Sequence, residues 1–239
     1  MAKRRGKRWG LRMVVTTALV VGAYFTADQF LTHPDTPLPA SWNPTEPLAV
    51  TAAQNPMTLW KLRNAMGGRD SCLAALESGA IFQSIPDQNA SPQCHIRNNV
   101  RLRKVSGANI RATDTRCDLA LTMAMWVEHG VQPAAQKHFG MPVRAIRTQG
   151  SYNCRQIFGT KRMSKHSQAK AIDVAGFTLA SGRDVELIKH WDGTPQEQAF
   201  LRDVRDAACD WFSTTLGPDY NRAHADHFHL QSEGWGTCR

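Results

Sequence analysis

Apolar positions along this chain follow two periods, one helical and one alternating, divided by breaks rich in glycine and proline. Leu59, Leu62 and Met66 lie on one face of a helix spanning Met57–Met66 that stops at Gly67-Gly68. Leu119, Met123, Trp126 and Val127 predict a second helix, capped by Asp114 or Thr115 and ended by Gly130; its Met and Trp content is core packing. A short helix near Pro133–Phe139 leads to Gly140. The longest helical pattern starts at the Thr194 cap, runs through Phe200, Leu201, Val204, Ala208, Trp211, Phe212 and Leu216, and closes at Gly217-Pro218. Alternation predicts strands at Asn99–Val105 and Val143–Thr148. Ala171–Leu179 and Val185–Trp191 read as an antiparallel pair turned by Ser181-Gly182-Arg183, and Asp226–Gln231 as the last strand. Residues 69–97 read as loop-rich and held by cysteines. Runs of helices and strands without βαβ alternation imply an α+β fold, with helices packed on a small antiparallel sheet.

The N-terminus follows a different pattern. Residues 1–12 carry six basic groups and no acid, and an apolar run from Met13 to Ala27 follows. These are the n-region and h-region of an export signal. Neither Val21-Gly22-Ala23 nor Ala27 makes a good cleavage site, because the first leaves a short h-region and Phe25 stands two before the second. Residues 1–32 therefore read as a signal anchor or a signal peptide, with the anchor favoured. Residues 11–31 would sit in the inner membrane and the bulk of the chain outside it, in the periplasm or another extracytoplasmic space. Residues 33–56 form a linker: six of the twelve prolines fall between Pro34 and Pro56. Such a stretch either stands extended between membrane and domain or wraps on the domain surface, with Trp42 as an apolar anchor. The domain proper is expected over 57–239.

Partitioning the charge changes its meaning. The net +9 includes six basic groups and one acid from residues 1–32, leaving 23 basic against 19 acidic groups, or +4, for the rest. No basic stripe interleaved with aromatics is present, so nucleic acid is not an expected partner. All six cysteines (Cys72, Cys94, Cys117, Cys154, Cys209 and Cys238) follow the linker, and in an exported chain an even number reads as disulfides. Cys209 with Cys238 would tie the last long helix to the chain end, and Cys72 with Cys94 would close a local loop.

The candidate chemistry lies in two segments. One runs from Ser164 to Asp173 and contains His166; the other reads His224-Ala225-Asp226-His227-Phe228-His229. Imidazole and carboxylate are what Zn²⁺ takes when it keeps one position open for water. The spacing from His166 to Asp173 lets a turn carry one ligand and the following strand the other. In a strand, His227 and His229 share a face, so one can bind metal while its neighbour faces the same water. A strand end so loaded with polar groups sacrifices apolar burial, which a bound metal explains better than packing does. These residues point to a zinc hydrolase.

With those residues placed, the chain resembles the extensin-like C-terminal domain family over roughly 57–239. The resemblance rests on Gly150-Ser151-Tyr152-Asn153-Cys154-Arg155, on His166 with Ala171-Ile172-Asp173, on Pro218-Asp219-Tyr220-Asn221 and on His224 through His229. That family is similar to the zinc D-alanyl-D-alanine peptidases and the penicillin-insensitive murein endopeptidase. The resemblance implies His166, Asp173 and His229 as zinc ligands on an α+β fold. It implies His227 beside the metal-bound water, His224 as a further active-site histidine, and Arg155 as a holder of a substrate carboxylate or carbonyl. Asp226 stands where the carboxypeptidases place a catalytic Glu, and competes with His227 as base. Two positions depart from the pattern. Ala169 stands where those families have Gly, which matters only if φ is positive there. Gln231 replaces an acid after His-Phe-His-Leu.

The activity implied is a peptidoglycan peptidase that cleaves an amide bond of a wall stem peptide or cross-link with a metal-activated water. His227 or Asp226 would move the proton, and Arg155 or His224 would steady the oxyanion. The alternative is a non-catalytic zinc-containing wall-binding or structural envelope protein.

Overall fold

The computed structural model describes residues 3–239; the first two residues of the expected anchor lie outside that range. In chain order the elements are α1 (Lys3–Thr32), α2 (Thr58–Met66), α3 (Arg69–Glu77), β1 (Ala80–Ser84), β2 (Gln88–Ser91), β3 (Cys94–Ile96), β4 (Asn99–Val105) and β5 (Ala108–Arg116). Then come α4 (Cys117–Trp126), a π-helical segment (Val127–Val131), α5 (Gln132–Phe139), β6 (Val143–Gly150), β7 (Ala171–Leu179), β8 (Asp184–Glu186) and α6 (Leu187–His190). The chain ends with α7 (Pro195–Trp211), β9 (Thr214–Leu216), β10 (Phe228–Gln231) and β11 (Thr237–Cys238).

The fold is α+β, but the sheet is neither small nor wholly antiparallel. Nine strands take the order β1-β4-β5-β6-β7-β10-β9-β11, with β8 also paired to β7. β6 runs parallel to β5 and β11 parallel to β9. The reason is a crossover: α4, the π segment and α5 carry the chain from β5 back to the same end of the sheet, which no hairpin can do. β7 serves two neighbours, pairing with β10 through residues 171–174 and with β8 through 176–178.

One face of the sheet is covered. Val100, Leu102, Ile110, Ile146, Ile172, Val174, Phe177, Phe228 and Leu230 from the strands join α2, α3, α4 and α7 in a single buried core. Trp126 and Phe200 meet Phe177 edge-on at centroid distances of 6.1 and 5.5 Å, and Trp126 Nε1–H donates to the Val204 carbonyl at 3.0 Å. Such aromatic contacts add to the area they bury. Because strand side chains alternate, the positions between these core residues stand on the opposite, uncovered face.

Several sequence expectations need correction. Residues 69–97 hold more than loop: α3, β1, β2 and β3 occupy much of them, and the strands are too short to display a period. Gly130 does not end its helix. The chain continues through the π turn, and glycine is needed because a Cβ there would lie 2.6 Å from Ala207 Cβ on α7. The stop comes at Gly140, left-handed at φ 65°. α7 ends at Trp211, short of Leu216, since β9 claims Thr214–Leu216. Val185–Trp191 is a short strand followed by α6. β10 starts at Phe228, so Asp226 and His227 precede it, and β11 rather than β10 is the last strand.

Three disulfides use all six cysteines. Cys209–Cys238 joins α7 to β11 as expected. Cys72 does not pair with Cys94; it bonds Cys117 at the start of α4, while Cys94 on β3 bonds Cys154 in the loop after β6. Proximity in sequence misled because β3 pairs with β2 outside the main sheet and packs by the Lys165–Gln168 turn. Residues 33–56 wrap on the domain: Leu48 and Val50 enter the core, Val50 N–H donates to Ser78 Oγ, and the Val50 carbonyl faces His129 Nε2 at 2.9 Å. Trp42 stays exposed and is not their anchor. In α1, the 21 residues Arg12–Thr32 are long and apolar enough to cross a membrane, and none is buried. At 1.5 Å per residue they reach about 30 Å, the thickness of a bilayer core. A signal sequence meets the same test.

Candidate metal centre

The uncovered face becomes polar where β7 meets β10. Their antiparallel register sets His229 directly opposite Asp173, and Gly150 of β6 lies on the other side of Asp173. His166 arrives from a 3₁₀ turn, Lys165–Gln168, that opens on the Ser164 cap. That turn closes at Ala169, whose φ of 50° is left-handed. A positive φ is therefore required at this position, and the alanine carries strain of about 1 kcal/mol.

His166, Asp173 and His229 each turn one donor atom inward, all within 4.8 Å of one another. His229 Nδ1 lies 2.7 Å from Asp173 Oδ1, His166 Nε2 3.1 Å from His229 Nδ1, and His166 Nε2 3.2 Å from Asp173 Oδ2. His166 and Asp173 are only 3 % and 8 % exposed. The hydrogen-bond network sets the tautomer of His166: Nδ1–H donates to the Ser151 carbonyl at 2.7 Å, so neutral imidazole presents a lone pair at Nε2. A buried lone pair facing a carboxylate oxygen at that range is repulsive unless a proton or a cation sits between them. Burial pushes the Asp173 carboxyl upward, but the imidazoles of His166 and His229 facing its oxygens outweigh it and hold the group well below the usual carboxylate range. Burial lowers His229 despite Asp173 beside it, which favours neutral imidazole. Two imidazoles and a carboxylate are donors that metal ions such as zinc accept, and tetrahedral zinc separates its donors by about 3.3 Å, against 2.7–3.2 Å here. The group could hold a metal ion.

His227 stands beside this group with Nε2 at 3.7 Å from Asp173 Oδ1. Its Nδ1–H donates to Asp226 Oδ1 at 2.7 Å, and Gln149 Nε2 holds the second Asp226 oxygen at 3.3 Å. The Asp226 carboxyl is lowered, chiefly by the His227 bond. Asp226 thus faces the far nitrogen of His227. His224 packs against His227 and His229 at ring distances of 5.3 and 5.7 Å. Burial and the two neighbouring imidazoles lower its pKa to about 4. Asn221 Oδ1 accepts from Ala223 N–H and from His224 Nδ1–H, leaving His224 Nε2 as an acceptor. His224, His227 and His229 also form a second trio whose donor atoms lie within 4.8 Å.

Six of the seven site residues read from sequence thus meet in one place. Arg155 is exposed, and no hydrogen bond or ion pair among the described residues ties its guanidinium to the cluster; its carbonyl accepts from Ser164 N–H. Three supporting groups went unread. Ser151 acts through its carbonyl, which carries no side-chain signature. Gln149 acts on Asp226 across the sheet. Glu233 bridges Lys165 and Lys170 at either end of the His166 turn.

A family model described as extensin-like protein C-terminus matches residues 70–239, well over half of the chain. The chain belongs to that family. No curated protein and no solved structure matches it.

Proposed function

We propose that this member of the extensin-like family is a zinc-dependent peptidoglycan peptidase held at the outer side of the inner membrane. The observation that carries the reading is the convergence of His166, Asp173 and His229 on one point with His227 beside them. When bound there, zinc would acidify a water and polarise the scissile carbonyl. The remaining work falls to side chains. His227, its Nδ1–H engaged by Asp226, offers Nε2 to take a proton from water and return it to the leaving amine. Asp226 fixes that tautomer and stabilises the imidazolium that forms. With Nδ1–H given to Asn221, neutral His224 accepts a hydrogen bond at Nε2, which suits orienting a water or substrate N–H better than donating to an oxyanion.

The choice of substrate rests on location. An apolar N-terminal helix and three disulfides suit a chain exported to an oxidising compartment, where wall peptides offer amide bonds. The resemblance of the His166–Asp173 and His224–His229 segments to those of the zinc D-alanyl-D-alanine peptidases and the murein endopeptidase supports the same reaction class. Metal analysis of protein purified without chelator, followed by incubation with muropeptides and chromatography, tests the proposal. About one zinc per chain and new cleavage products, both lost with His166→Ala, are expected. Zinc without cleavage would leave a wall-binding module, and no zinc would leave a structural envelope protein.

A further inference from the structure

A groove of about 550 Å³ crosses the same uncovered face next to the cluster. Arg101 and Arg103 line it from β4, Arg111 from β5 and Tyr152 from the loop after β6. Its inner end is shared with the metal centre. Gln149, Gly150 and Ser151 line the groove, while Gln149 bonds Asp226, Gly150 pairs with Asp173 and the Ser151 carbonyl holds His166.

The charges in the groove are unequal. Arg101 is neutralised by Asp114, with paired contacts of 2.6 and 2.9 Å. Arg103 and Arg111 are exposed and have no acidic partner within 4.0 Å among the described residues. A surface arginine without a partner is ordinary. Two in one groove that ends at a hydrolytic cluster form a positive track for a chain entering the site. Guanidinium matches carboxylate in a planar, two-point fashion, which a lysine would not.

We propose that Arg103 and Arg111 select substrates by free carboxylates, so that an acidic stem peptide lies along β4–β6 with its scissile amide at His166, Asp173 and His229. The assignment rests on the peptidase reading and adds a preference for acidic over amidated peptides. Nucleic acid fits the groove less well, because Tyr152 is its one aromatic lining residue and single strands need successive stacking platforms.

The test uses full-length protein in detergent, zinc-loaded, with two synthetic stem peptides that differ only in carboxyl against carboxamide groups. Binding is measured on the His227→Ala background so that turnover does not consume the probe, and cleavage is measured with His227 intact. The acidic peptide is expected to bind about tenfold more tightly than the amide, to lose that advantage in Arg103→Ala/Arg111→Ala, and to recover only part of it in the double Lys variant. The amide should bind the double Ala variant as it binds the parent. Equal binding of the two peptides, no binding of either, or an advantage that survives the double Ala change would overturn the proposal. So would tighter binding of a single-stranded oligonucleotide. Arginine-dependent binding without cleavage would uphold the groove and defeat the peptidase reading; cleavage indifferent to the arginines would do the reverse.

Discussion

The two faces of the central sheet are built from the same strands and obey opposite rules. On the covered face, Ile172 and Val174 of β7 and Phe228 and Leu230 of β10 are sealed under α4 and α7. On the other face, Asp173 and His229 of those strands stand side by side among His166, His224 and His227. Two-residue alternation makes this division possible: each strand gives one face to stability and the other to chemistry. The consequence is that damage should separate cleanly. Loss of an open-face residue should remove function from a folded protein, and loss of a covered-face residue should remove the fold.

The largest contrast pairs His229→Ala with Phe177→Ala. The first should lose stoichiometric zinc and bring peptide cleavage to background, while changing the stability of metal-free protein by no more than about 1–2 kcal/mol. The second removes a ring wedged between Trp126 and Phe200 and should cost about 3–5 kcal/mol. Urea unfolding of the metal-free proteins, with zinc content measured alongside, compares them. Zinc retained at the parental level by His229→Ala would break the contrast and point to His224 and His227 as ligands.

Within the open face the effects should grade with distance from the metal. His227→Ala should keep zinc yet slow turnover by about 10²–10⁴-fold, the usual worth of a positioned base. Asp226→Asn should cost about 10–100-fold, because it reaches the reaction only through the His227 ring. Single-turnover rates of zinc-loaded protein give the order. A faster His227→Ala than Asp226→Asn would transfer the base to the carboxylate.

The same division explains what could be read from the chain beforehand. Ligand candidates were legible because several imidazoles and carboxylates on short strands have no packing use, and β4 and β7 were legible because they are long enough to show their period. β1, β2, β9 and β11 are too short for that. The end of the helix at Gly130 was misplaced because its glycine serves a contact with Ala207, a fact about tertiary distance. β5 escaped notice because a register shift against β4 breaks its alternation. The arginine groove was invisible for a similar reason. Arg103 and Arg111 reach one groove only because β4 and β5 pair, and only the pairing shows which neighbouring acid neutralises Arg101.

The smallest effect belongs to the covered side, where a titratable group does structural work. Glu197 closes the capping box of α7: its carboxylate accepts from Thr194 N–H at 2.9 Å and Thr194 Oγ1 at 2.8 Å, and from Arg183 at 2.6 Å. Burial pushes its pKa up, but those bonds win and hold it at about 2, against an ordinary 4.5. A depressed folded pKa means stability that is present above pH 4.5 and is lost as pH falls towards 2. Glu197→Gln should therefore be about 1 kcal/mol less stable at pH 7, because a neutral amide oxygen accepts these bonds, the Arg183 one above all, more weakly than the carboxylate does. Near pH 2 the parent's carboxyl is itself becoming neutral, so the two urea midpoints should converge. Metal-free protein is the right material, since it takes acid release of zinc out of the comparison. A gap that stays constant or widens as pH falls would mean that α7 is capped by shape alone, and that charge contributes nothing to the covered face.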